Sequence, residues 1–390
     1  MENKQPNNSN EKQVISQQSD LTDVLIFEEI LTRLPVKSIL RFKSVSKQWY
    51  STLSSSNFAN THLKKSPFSH PSAPVNNLII QSGSNCYIFS YDDEVDQISH
   101  NFEDNVVKLN TEFLVENDDE RLFLAESCNG LICITTAGSG KYFILWNPAT
   151  RKLNTCALPN EYLNCFEKGA KYFRTTLGFG YVSSIDDYKF VAILTVRHGN
   201  SESLFALIFS LRENRWRKID LDNTLCFGCD TGVLVSEKLY WRAYSDEAQK
   251  LVSFDLAAEM FDVIEVDWDR YETLGVLKGC LHKLNWSDTF KVDILEPPAI
   301  VKSIELPKEL MLERFSKIIG FTKTDKLFVT EWLSNNFGGR FFNVRTLAIV
   351  DTCTGTGPMQ YTHLLNFGNV PFKIARYVPS LVSPFSTEDS

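Results

Sequence analysis

The chain has 390 residues, 43% of them hydrophobic and 28 of them phenylalanine, with a formal net charge of −8. That content folds, and the length admits either a small module beside a large all-β domain or two to three ordinary domains. The acidic balance, with no basic stripe through the long C-terminal part, argues against a protein that coats nucleic acid.

Nine cysteines are an odd and scattered set. Residues 1–18 are polar and charged where a secretory leader would be apolar, and no run approaches the roughly 18 apolar residues of a membrane helix. The thiols are therefore expected to be reduced, the protein to reside in the cytoplasm and/or nucleus, and no membrane partner to be involved.

Residues 1–18 hold too little apolar surface to offset the entropy of ordering and are expected to form a disordered tail. From a cap at Ser19 or Asp20, LTDVLIFEEILTRL predicts a first helix. Ile26, Ile30 and Leu34 recur along it, Phe27 pairs with Leu31, and Pro35 ends it. A second helix from about Lys37 turns Ile39, Leu40 and Phe42 one way and Lys37 and Arg41 the other. A third places Val45, Trp49 and Leu53 on one stripe, after which Phe58, His62 and Leu63 form a final short turn. This module is assigned to residues 19–63 and a linker to 64–76. Its core is too small to stand alone, so something else must cover it. Arg33, Lys37, Arg41, Lys43 and Lys47 occur here with no acidic residue among them. A solvated helix face and a rim for an acidic partner both account for such a run.

From Asn76 the periodicity becomes that of strands. Six similar units begin at Leu78, Gly130, Leu177, Gly232, Gly275 and Ile319, at a mean spacing of about 48 residues, near the roughly 50 of a four-stranded kelch-type propeller blade. An open β-sandwich also accommodates the pattern. The β domain is assigned to residues 77–382 and a second disordered tail to 383–390. In WNPAT, Asn147 and Pro148 suit the first two positions of a type I turn, and Asn214, Asp255 and Asp351 occupy comparable places.

The elements that might carry chemistry are weak. Cys226 and Cys229 make half of a zinc site, and packing is the plainer reading. His62, His70, His100, His198, His282 and His363 are dispersed, and neither HExxH nor GxSxG occurs. Asp186 and Asp187 are neighbours, which on a strand point to opposite faces, so they read as a loop cap rather than a catalytic pair. Gly178-Phe179-Gly180 lacks the third glycine and the helix of a dinucleotide site. Trp216, Tyr240, Trp241, Phe254 and Phe261 read as blade core. No catalytic, metal-binding or cofactor-binding residue is assigned, and no cofactor is expected.

Leu34-Pro35-Val36-Lys37-Ser38, Leu40, Arg41-Phe42-Lys43, Val45, Lys47 and Trp49, followed by Phe58 and His62-Leu63, together resemble a plant-type F-box over about residues 20–63. The first helix departs from that pattern. Leu21-Thr22-Asp23 stands where a Leu-Pro pair usually opens the box, and IFEEIL is one residue long. Downstream, SCNGLICI, LWNPATRKL, GFGYVSSIDDYKFV, SLRENRWRKI, GVLVSEKLYW, VSFDLAAEMF, LGVLKGCL and YVPSLVSP resemble, in order, the F-box-associated domain of plant proteins.

The resemblance implies a small all-α F-box of three helices followed by an all-β domain, a six-bladed kelch-like β-propeller. It also implies a non-catalytic substrate-recognition subunit of an SCF-type cullin-RING ubiquitin ligase. A Skp-type adaptor would dock on Leu34, Pro35, Val36, Lys37, Ile39, Leu40, Arg41, Val45, Lys47 and Trp49. Cullin and RING subunits would be reached through the adaptor, and the β domain would hold a target protein; nucleic acid is not expected as a partner. Two other readings are a module that senses a small molecule or glycan and a propeller enzyme dependent on copper or zinc. Saturable ligand binding would mark the first, stoichiometric metal the second.

Overall fold

The computed structural model describes residues 25–67, 69–70, 72–91, 106–111, 121–137, 142–160, 172–198, 201–228, 231–245, 248–266, 272–285, 291–305, 315–332, 344–350, 361–366 and 372–385. The expected tail at 1–18 and the last residues of the expected tail at 383–390 lie outside them.

The helical head opens with a π-helical turn, Ile26–Ile30, in which the Leu31 amide reaches back to the Ile26 carbonyl. A 3₁₀ turn, Leu31–Arg33, follows. A π turn holds one residue more than an α turn, so the surplus residue of IFEEIL is absorbed here without breaking the hydrogen-bond ladder. The phase shift corrects the expected apolar stripe. Phe27 and Leu31 are the buried pair, whereas Ile30 is 55% exposed.

Three α-helices complete the head: α1 (Val36–Phe42), α2 (Lys47–Ser54) and α3 (Ser56–Lys65). Ser46 and Ser55 cap α2 and α3, their hydroxyls accepting from the Trp49 amide at 3.1 Å and the Phe58 amide at 3.2 Å. Two expectations are corrected. The final short turn is a ten-residue helix. Val45 precedes the Ser46 cap, so it lies off the Trp49–Leu53 stripe and is 58% exposed.

Among the described residues the strands form six antiparallel sheets. In the second, β4 (Arg121–Cys128), β5 (Leu131–Ala137), β6 (Tyr142–Asn147) and β7 (Lys152–Ala157) pair in sequence order. The third does the same with β8 (Tyr172–Val182), β9 (Asp187–His198), β10 (Ser201–Ser210) and β11 (Arg215–Asp220). The fifth uses β17 (Glu272–Leu277), β18 (Cys280–Asn285), β19 (Lys291–Glu296) and β20 (Ala299–Glu305), and the sixth β21 (Phe315–Phe321), β22 (Leu327–Trp332), β23 (Val344–Val350) and β24 (Tyr361–Asn366). The first is closed by the C-terminal strand. There β25 (Phe372–Arg376) pairs with β1 (Asn77–Ser82), followed by β2 (Asn85–Ser90) and β3 (Val106–Leu109).

The fourth sheet departs from the expected uniform six-blade array. Five sheets have four strands, but this one has five: β12 (Cys226–Phe227), β13 (Val233–Val235), β14 (Lys238–Tyr244), β15 (Gln249–Asp255) and β16 (Met260–Ile264). Both β12 and β13 pair with β14, at opposite ends of it. The innermost position of this sheet is thus shared by two short strands, one ending at Phe227 and one beginning at Val233.

Inner strands contact one another in turn, β25 with β4, β4 with β8, β8 with β13, β13 with β17, β17 with β21 and β21 with β25. That closed order is a propeller, and it excludes the sandwich. Close approach explains Gly178. A Cβ there would lie 2.7 Å from Leu239 Cδ1 and from Trp241 Cζ2 of the next sheet. The GFG sequence is therefore packing chemistry. Trp241, Phe254 and Phe261 fill the same junction, with Phe254 and Phe261 rings 4.5 Å apart. Trp216 lies against Phe143, Phe190 and Phe209 between the second and third sheets.

The head sits on the end of the propeller that carries the β8–β9 and β6–β7 turns. Asn60 Nδ2 donates to Asp186 in the β8–β9 turn at 3.1 Å. Leu63 packs with Ala125, Leu131, Phe143 and Val382. Leu381 joins Phe27, Leu31, Ile39, Leu53 and Phe58 in the head's own core, with Ala149 at its margin. The expected unfinished core is thereby corrected: Ile39 and Leu53 are fully enclosed by this chain alone. Leu381, just past the closing strand, supplies the cover. Part of the expected C-terminal tail is also held, since the Pro384 carbonyl accepts from Asn154 Nδ2 at 3.0 Å. The expected linker is tied down as well, with the Val75 amide on the Phe321 carbonyl at 2.7 Å and Arg376 Nη2 on the His70 carbonyl at 3.1 Å.

Candidate functional site

Of the ten head residues singled out from sequence, Val36 and Ile39 are buried, and Leu34, Leu40 and Trp49 are half-buried. Pro35, Lys37, Arg41, Val45 and Lys47 are exposed. Lys37 and Arg41 are one α-helical turn apart and share a face of α1, as Lys47 and Tyr50 do on α2. Trp49 is held edge-on by Phe27 at 5.2 Å and Phe42 at 5.9 Å. Val36 and Ile39 thus shape the head from inside, while the outer positions remain available for contact.

Sequence reasoning missed three further apolar side chains at the head's surface. Leu25, Ile30 and Tyr50 are 59%, 55% and 60% exposed, comparable with Val45. Their signal was present in the helical phase, but the π turn moved Ile30 from the inner to the outer face. Exposed apolar groups beside lysine and arginine form the kind of surface that another protein covers.

His62 anchors the head's first turns from below. It is buried, and its Nε2 lies 2.7 Å from the Leu34 carbonyl, which assigns the ring proton to that nitrogen and leaves Nδ1 without a partner. Burial lowers its pKa, and the Leu34 carbonyl only partly offsets this. Below pH about 6.5 the unfolded chain takes up a proton that the folded head resists, so the head loses stability as pH falls. Amide exchange of α3 is expected to speed up between pH 7.5 and 5.5 relative to pH-corrected intrinsic rates. A His62→Gln chain should show a smaller change, and an equal change in both would remove His62 as the cause.

A second feature lies on the propeller axis at the head's end, a cavity of about 720 Å³. The end of α3 and the segment after it form one wall, and the inner strands form the rest. Glu126 on β4 and Lys317 on β21 both line it. Burial raises the Glu126 pKa, opposed by the charges of Lys317 and Lys373 and by the Ser127 amide, which donates to Oε1 at 3.0 Å. Nothing in the sequence points here, because the two residues lie on strands almost two hundred positions apart and meet only when the ring closes.

The other candidates resolve into structure. Asp187 is buried and accepts from Ser210 Oγ at 2.7 Å and the Arg212 amide at 2.8 Å, while Asp186 has a positive φ and accepts from Tyr181 Oη at 2.7 Å. Asp255 accepts from the Ala257 and Ala258 amides, the expected turn chemistry, whereas Asp351 lies outside the described residues. Cys226 is exposed and Cys229 lies outside the described residues. Among the described residues no three His, Cys, Asp or Glu side chains come together to hold a metal, and no helix is long and apolar enough to cross a membrane.

Comparison with known proteins agrees with this architecture. Residues 19–61 match the F-box domain, and residues 79–280 match the F-box associated beta propeller domain. An F-box/kelch-repeat protein of Arabidopsis thaliana is 28% identical over 292 residues, covering 69% of this chain and 73% of its own. A second Arabidopsis thaliana F-box protein is 25% identical over 418 residues, covering 96% of this chain and 92% of its own. Three others are aligned over 58%, 64% and 61% of their own lengths. With a matched propeller spanning more than half of its length and a matched helical head before it, the chain belongs to the F-box-associated β-propeller family of F-box proteins.

Proposed function

We propose that this protein is the substrate receptor of an SCF-type cullin-RING ubiquitin ligase, acting in the cytoplasm and/or nucleus without making or breaking a bond itself. A Skp-type adaptor covers the outer surface of the F-box and links it to cullin and RING subunits. The propeller holds a target protein, raising the effective concentration of its lysines near a charged conjugating enzyme. The end opposite the F-box is the one left open to the target, because the F-box and the segment that follows it occupy the other.

The observation that carries this reading is the exposure of Val45 and Tyr50 on an F-box whose core is already closed, with Leu381 of the C-terminal segment completing it. Apolar groups left outside a complete core are explained by a partner, and Lys37, Arg41 and Lys47 suit an acidic one. Because both apolar residues are exposed, Val45→Asp, Tyr50→Asp tests the contact without disturbing the fold. Adaptor captured by the doubly substituted chain is expected to fall by about tenfold or more, the loss of one interface anchor pair. Arg41→Glu should slow association more at low salt than at high salt. Undiminished adaptor capture by the double variant would overturn the docking surface. A Leu34→Ala, Pro35→Ala chain is the harder variant to interpret, since the Leu34 side chain is half-buried against the head's core.

A further inference from the structure

We propose that the axial cavity binds a small organic anion with an apolar body, seated between the propeller's inner strands and the base of the F-box. At about 720 Å³ the cavity has the size of a site for a drug-sized molecule. Val233, Val276, Ile318 and Ile374 give it an apolar wall. Lys317 is half-buried among them, and among the described residues its ammonium group makes no hydrogen bond or ion pair. A half-buried ammonium beside an apolar wall attracts an anion more strongly than a fully exposed lysine does, because less water screens it, and Glu126 is the carboxyl group that feels its charge.

Glu126, two sheets round the ring from Lys317, also lines the cavity. Its Oε1 already accepts from the Ser127 amide, and burial favours its neutral form. It therefore opposes Lys317 only partly, and when protonated it donates to an acceptor on the ligand. Of the other charged groups lining the cavity, Lys278 pairs with Asp325 at 2.7 Å, Glu237 accepts from the Ser183 amide at 3.0 Å, Arg376 donates to the His70 carbonyl, and Lys64 is exposed to solvent at the rim. Lys317 is left as the anchor. This site is separate from the adaptor surface, so the two proposals stand or fall apart.

The test uses the full chain with two fluorescent probes, anilinonaphthalene sulfonate and its uncharged parent, N-phenylnaphthylamine. Saturable binding of one molecule of the anionic probe is expected. Lys317→Met should weaken it by about tenfold or more, the loss of one charge-assisted contact, and leave the uncharged probe unchanged. Glu126→Gln should tighten the anionic probe, because a carboxylate facing it is removed. Opposite effects from the two substitutions cannot arise from general loosening of the fold. Failure of the wild type to bind the anion, equal binding by Lys317→Met, or parallel changes in both probes would each overturn the proposal. Adaptor capture by both variants should match that of the wild type, which keeps this result distinct from the docking test.

Discussion

Leu381→Asp opens the F-box while the propeller stays folded. Leu381 is 7% exposed and packs among Phe27, Leu31, Ile39, Leu53 and Phe58, so the F-box core contains a residue from the far end of the chain. Truncating such a leucine to alanine costs about 2–5 kcal/mol, and an aspartate adds the expense of a buried charge with no partner. A core of some 40 residues rarely holds more than about 3–5 kcal/mol in reserve. The substitution therefore exhausts the stability of the head. Amides of α2 and α3 are expected to lose their protection from exchange, and adaptor capture is expected to disappear. Amides of β9 and β10, at the centre of the third sheet, should keep theirs. Leu381→Ala should show the same pattern in weaker form. If α2 and α3 remain protected in Leu381→Asp, the head is finished by its own residues and the C-terminal segment is only an ornament on it.

Much of this organisation was legible in the chain, and the reasons differ by element. Caps and turns act locally, so Ser46, Ser55, Asn147 and Asp255 announce themselves through a side-chain oxygen and the amides two or three residues on. The Asn129-Gly130 pair, at φ 51° and 82°, is a further local signal, since a two-residue hairpin between Cys128 and Leu131 needs both residues in the left-handed region. The π turn was visible only as a surplus residue in IFEEIL, because its effect, rotating Ile30 outward, depends on how the backbone absorbs that residue. What was not legible depends on ring closure. The cover of the F-box core by Leu381, the meeting of Glu126 and Lys317, and the ion pair of Lys189 with Glu259 at 2.8 Å all join residues brought together by sheet order. The basic run was legible as charge but not as a site. Its lysines and arginines acquire a reading only beside the exposed Val45 and Tyr50.

Asn147→Asp is expected to destabilise the protein by about 2–6 kcal/mol near neutral pH, and by less in acid. Asn147 is fully buried at the end of β6, and all of its hydrogen-bonding capacity is used. Its Oδ1 accepts from the Ala149 amide at 3.0 Å and the Thr150 amide at 3.3 Å, and its Nδ2 donates to the Ser380 carbonyl at 3.1 Å and the Val382 carbonyl at 2.8 Å. One amide thus forms the turn expected from WNPAT and also grips the segment that carries Leu381. An aspartate keeps the two acceptor bonds but leaves two buried carbonyls without donors, at about 1–3 kcal/mol each, and turns a negative charge toward them. The charge makes the argument testable by its sign. Facing two carbonyls, the new carboxyl has a folded pKa above its unfolded value, so its proton stabilises the fold, and stability is lost as pH rises through the folded pKa. The difference in stability between Asn147→Asp and the wild type should therefore shrink from pH 7 to pH 4. Asn147→Ala, which loses the turn bonds as well but carries no charge, should show a difference that does not vary with pH in this way. A gap between Asn147→Asp and wild type that is constant across that range would mean that the side chain serves the turn alone and that the C-terminal segment is held by its leucine and valine.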